Sequence, residues 1–122
     1  MIRSFRDLEV YKEAIELAII IERLIKTFPK FEQFLLVDQM RRASRAIGAL
    51  IAEGYARRVS LKTLQQYLNE TIGEANEMIS HLEIADKLGY IKEPGLGKQL
   101  IERYDILGKK LFNLKNNWQN FK

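Results

Sequence analysis

The chain has 122 residues, 47% of them hydrophobic and 30% charged, with a formal net charge of +4, one histidine and no cysteine. Such a profile belongs to one folded domain and excludes a disordered polar chain, a disulfide framework and any thiolate nucleophile or metal site. The longest apolar run, Leu17 to Ile21, falls far short of the roughly 20 residues that cross a bilayer, and the charged opening MIRSFRDLEV lacks a secretory pattern, so a cytoplasmic protein without a membrane partner is expected.

Ser4 and Asp7 form a capping-box-like start, after which Leu8, Tyr11, Ile15, Ala18, Ile21, Ile25 and Phe28 recur at steps of three and four. This predicts a helix over 5–28, stopped by Pro29. The adjacent Ile19, Ile20 and Ile21 span too wide an arc for one buried face, so this helix is expected to be covered on more than one side.

A second helix over 35–57 carries the seam Leu36, Met40, Ala43, Ile47, Leu50 and Gly54. With Ile47 at the centre of the buried face, the opposite side holds Arg41, Arg42 and Arg45, then Gly48, Ala49, Ala52, Glu53 and Ala56. Small residues from Gly48 to Ala56 let another backbone approach closely, which makes Gly48, Ala49, Ala52, Glu53 and Ala56 a candidate oligomer interface. The alternative is that alanine stands there only as a strong helix former. Glu53 has Arg57 as its i+4 neighbour, while Arg42 lies about 16 Å along the same face, so Arg42 is expected to find a carboxylate only on another chain.

Ser60 is a good N-cap for a helix over 61–88 with buried positions Leu61, Leu64, Leu68, Ile72, Ala75, Ile79 and Leu82, closed by Gly89. Gly73 within it marks a possible close contact. The link YIKEPGLG leads into a helix over 95–120 with the stripe Leu100, Tyr104, Leu107, Leu111, Leu114, Trp118 and Phe121. Four long helices with short connections predict an all-α, antiparallel up-down-up-down four-helix bundle occupying residues 1–122 as one domain.

Charge is unevenly spread. Residues 29–58 hold six cations against three acids and 94–122 six against two, whereas 59–93 hold three against six. For nucleic acid, Arg41, Arg42 and Arg45 offer a one-turn ridge, with Arg57 and Arg58 beyond it and Lys109, Lys110 and Lys115 on the fourth helix. The aromatics of that helix fall on its buried stripe, so no stacking platform interleaves with these cations, and recognition would be by shape and charge. A solvated cationic face is the competing reading.

Catalytic patterns are weak. His81 has Glu77 one turn before it, but the Glu-x-x-His of di-iron bundles would need an acid where Met78 stands. Glu70, Glu74 and Glu77 read as a solvated acidic face, and Gly95 to Lys98 lacks the spacing of a phosphate loop. No enzyme activity, cofactor or metal is expected.

The run Gln39-Met40-Arg41-Arg42-Ala43, then Ile51-Ala52-Glu53-Gly54 with Arg57 and Ser60, Tyr67-Leu68 with Gly73 and Glu77, and Leu88-Gly89-Tyr90 arrive in order along the chain. With Phe5, Asp7-Leu8 and Phe28-Pro29 they make it resemble the four-helix-bundle proteins encoded in bacterial 23S rRNA intervening sequences. The chain departs from that pattern at Ala46-Ile47-Gly48, Leu50 and Thr71-x-Gly73-Glu74. The resemblance implies a homopentamer without known enzymatic activity and with an RNA or other nucleic-acid-binding role. Similar bundles accompany the reverse transcriptases of diversity-generating retroelements, so the alternative is a protein-interaction scaffold that recruits a partner enzyme without touching nucleic acid itself.

Overall fold

Ser4 opens the fold: its hydroxyl accepts from the Arg6 N–H, and the Asp7 carboxylate accepts in return from the N–H groups of Arg3 (2.8 Å) and Ser4 (3.2 Å). This reciprocal cap closes a short 3-10 turn, Phe5–Asp7, before extended Leu8 redirects the chain into the first helix. The computed structural model describes residues 1–121. Its helices are α1 (Glu9–Ile25), α2 (Leu36–Ala56), α3 (Leu61–Lys87) and α4 (Leu96–Asn116), with further 3-10 turns at Lys30–Glu32 and Trp118–Asn120. Among the described residues there is no strand.

Consecutive helices pack antiparallel, and α4 returns against α1 to close an up-down-up-down four-helix bundle. One end, here called basal, gathers the N-terminal turn, the α2–α3 turn and the Trp118–Asn120 turn, with the Tyr55 and Trp118 rings edge to face at 6.1 Å. The apical end carries the α1–α2 and α3–α4 connections, tied by the Tyr90 hydroxyl donating to Glu32 at 2.8 Å and by the Phe28–Tyr90 ring contact. Gly89, at φ +78, ends α3 in the left-handed conformation that lets the Tyr90 N–H reach the Ala85 carbonyl.

The core is lined by Leu17, Ile21 and Ile25 of α1, Met40, Ile47 and Ile51 of α2, and Leu100, Leu107 and Leu111 of α4. On α3 the buried line runs Leu64, Leu68, Thr71, Ala75, Met78 and Leu82, so Thr71 and Met78 take the places expected for Ile72 and Ile79, and Leu61 is exposed. Thr71 can be buried because its hydroxyl donates to the Tyr67 carbonyl one turn back, at 2.7 Å. Leu50 is only half-buried. Helix α1 is buried along Val10, Ala14, Leu17, Ile21 and Ile25, while Ile15 and Ile19 stay 41% and 49% exposed. The chain by itself therefore covers one side of α1, not several.

Candidate nucleic-acid interface

The arginine ridge of α2 meets acids from both neighbouring helices. Arg41 grips Glu22 of α1 with two hydrogen bonds, from Nε at 3.0 Å and Nη2 at 3.1 Å, and Arg45 donates to the same carboxylate at 3.2 Å. The hydrogen bond from Arg41 holds the Glu22 carboxyl below its ordinary range, and the same bond raises the guanidinium. Arg42 turns the other way, to Glu77 of α3 at 2.7 Å, with Glu74 at 3.7 Å. Its carboxylate lies within the chain, correcting the expectation of a partner on another molecule. An α-helix cannot reveal such a partner from its own spacing, because the contact depends on the register between α2 and α3.

Glu77 is shared. His81 Nε2 lies 3.1 Å from the Glu77 Oε2 that also accepts from Arg42, so the His81–Glu77 neighbours seen in the sequence are part of one α2–α3 polar seam rather than of a solvated acidic face. Burial foremost, then Glu77, pushes the Glu74 carboxyl up, with Arg42 pulling it down. Among the described residues, no group of three or more His, Asp or Glu side chains could hold a metal ion.

The remaining predicted cations are distributed as follows. Lys109 pairs with Asp105 at 3.2 Å and Lys110 with Glu9 at 2.7 Å, the latter lowering the Glu9 carboxyl and raising the lysine. Arg57 pairs with Glu53 at 3.2 Å and lies over the Tyr67 ring. Arg58 has no acidic partner among the described residues; it lies 4.0 Å from the Tyr55 ring centroid and donates to the Tyr55 carbonyl. The basal end thus gathers Arg3, Arg6, Arg57, Arg58, Lys62 and Lys115, and its acids Asp7, Glu9 and Glu53 are already engaged. Arg3, Arg6 and Lys62 were missed, and Lys115 was read only with its own helix, because these residues are far apart in sequence. Phe112 corrects the expectation that the aromatics of this helix all fall on its buried stripe: it is 55% exposed, with the Lys115 ammonium 4.8 Å from its ring centroid.

The small-residue strip divides. Gly48 is buried beneath α1, where a Cβ would stand 3.1 Å from Ile15 Cδ1, and it lines the α1–α2 groove rather than the solvent-facing back of α2. Lacking a side chain, it gave the wheel no apolar signal. Ala49, Glu53 and Ala56 are exposed and Ala52 half-exposed. A shallow groove beside them is lined by Ile15, Ala18, Ile19, Ser44 and the Glu22–Arg45 pair.

Fold and surface define a class: a small antiparallel helical bundle whose long faces are crossed by ion pairs and whose surplus positive charge collects at one end. Within it, the chain belongs to the family described as 23S rRNA-intervening sequence protein, which it matches over residues 6–113. It is similar to a crystal structure of a protein with unknown function from the S23 ribosomal protein family of Bacteroides thetaiotaomicron VPI-5482, at 25% identity and a TM-score of 0.78, covering 88% of this chain and 96% of that one. No curated protein matches the chain significantly. Among the described residues no helix is long and apolar enough to cross a membrane.

Proposed function

We propose that the protein is a non-enzymatic, homo-oligomeric bundle that binds RNA through its basal end. The observation that carries this reading is the contrast in pairing: the ridge arginines are engaged by Glu22, Glu74 and Glu77, whereas the side chains of Arg58, Lys62, Arg3 and Arg6 have no carboxylate partner among the described residues. A phosphate backbone gains little from cations already neutralised and most from those that still hold counterions.

Assembly is supported by apolar side chains left open on two lateral faces, Ile15 and Ile19 beside Ala52 on the α1–α2 side, and Phe112 beside Ile72 on the α3–α4 side. Two different faces that meet head to tail close into a ring when the rotation between copies allows it, and the resemblance to the family supports a pentamer as the ring size. Every basal end then points the same way, so one weak cationic patch is repeated on a single surface.

The test is a salt titration of binding to a structured ribosomal RNA fragment. Arg58→Glu with Lys62→Glu should weaken binding by more than about tenfold and flatten the dependence on salt by about one unit per lost phosphate contact. The Arg41, Arg42, Arg45 to Ala variant, with oligomer mass unchanged, should bind nearly as the parent does. Absence of binding at low salt overturns the reading, as does loss confined to the ridge variant.

A further inference from the structure

We infer that the apical corner where α1 gives way to α2 is a docking site for a short acidic segment of a partner protein, anchored by an apolar side chain. This concerns the opposite end from the proposed RNA surface and does not rest on that reading.

A depression at this corner has a hydrocarbon floor made by Ile25, Phe28 and Val37, and Lys26, Lys30 and Arg41 stand at its rim. The guanidinium of Arg41 is fixed by Glu22, and Asp38 is the other acid acting on it. The two lysines, by contrast, are exposed and have no acidic partner among the described residues. Glu32, the remaining acid of the connection, is turned away, accepting from the Tyr90 hydroxyl and the Leu36 N–H. The same connection exposes Phe31 at 70% and Phe34 at 85%, a contact area far larger than a solvated turn requires.

Charge selects the occupant. Carboxylates of an incoming peptide match Lys26 and Lys30, and an aliphatic or aromatic side chain between them matches the floor. A nucleic acid fits less well, because elsewhere on this end Arg23, Lys87, Lys92 and Lys98 are interspersed with Glu83, Asp86, Glu93 and Glu102, leaving no continuous cationic track for a phosphate backbone.

The experiment is an anisotropy titration of the full chain with a short fluorescein-labelled peptide in which glutamate alternates with leucine and phenylalanine. The double variant Lys26→Glu, Lys30→Glu changes only exposed side chains and should weaken binding about tenfold or more. A peptide with serine in place of leucine and phenylalanine should lose as much on the parent protein. Arg58→Glu with Lys62→Glu, at the far end, should bind as the parent does. The inference is overturned if the parent does not bind the peptide, if the lysine variant binds it equally well, if the serine peptide is bound as tightly, or if an RNA oligonucleotide displaces the peptide at equal charge.

Discussion

Tyr104 sits wholly inside the bundle, and its hydroxyl has no hydrogen-bond partner. Burial pushes the phenol upward, so it stays protonated and the cost is that of a desolvated neutral hydroxyl. Tyr104→Phe is therefore expected to stabilise the fold by about 1 kcal/mol, read as a higher urea midpoint at unchanged slope. The position was legible in the sequence, since Tyr104 continues the α4 stripe; its orphaned hydroxyl was not, because that depends on what three other helices bring to the same layer. Glu74 gives the opposite lesson. Its carboxyl is raised, so the folded chain keeps a proton that the unfolded chain has already released, and stability from this group falls as pH rises through and above the ordinary glutamate range. Glu74→Gln should stabilise by up to about 1 kcal/mol at neutral pH and by almost nothing in acid below that range, with denaturant midpoints compared at both. Glu22, held down by Arg41, works the other way: the stability it adds is present at neutral pH and fades as pH falls.

At the scale of elements, periodicity found four helices but overran two of them: those expected over 5–28 and 95–120 are α1, Glu9–Ile25, and α4, Leu96–Asn116, each flanked by a separate 3-10 turn. The other errors were of phase. On α3, Thr71 next to Ile72 and Met78 next to Ile79 offer two stripes one residue apart, and hydropathy chooses the isoleucines. Packing against α2 and α4 chooses the smaller threonine and the unbranched methionine, the former made harmless by its bond to Tyr67. Glycine errs in the same way, since sequence cannot tell a contact from a gap. A Cβ on Gly54 would stand 2.8 Å from Tyr67 Cβ, so α2 and α3 meet backbone to side chain there, and Gly54→Ala should cost roughly 1–3 kcal/mol. Gly73, expected to mark a close contact, has nothing within 4 Å of its added Cβ. Gly73→Ala should instead stabilise by about 0.5–1 kcal/mol through helix propensity alone. Thermal melts of the pair would display opposite signs from the same substitution.

At the scale of the whole molecule, the bundle is asymmetric along its axis and around its girth, and each asymmetry underlies one of the proposed contacts. Ion pairs such as Arg103 with Glu13 and Glu16 stitch α4 to α1, while Ile15 and Ile19, on the α1–α2 side, stay uncovered. Were Ile15 and Ile19 needed for the monomer's own core, replacing one by a charge would unfold it; because both are about half exposed, Ile19→Arg should leave helicity and the unfolding slope unchanged. If the proposed ring uses that face, the same variant should sediment as a monomer at micromolar concentration. Its affinity for the RNA fragment should then drop by about a hundredfold, although no basal cation has been altered, because single patches lose the gain from being linked. A variant that remains oligomeric would move the interface away from α1, and a monomer that keeps full affinity would separate RNA binding from assembly.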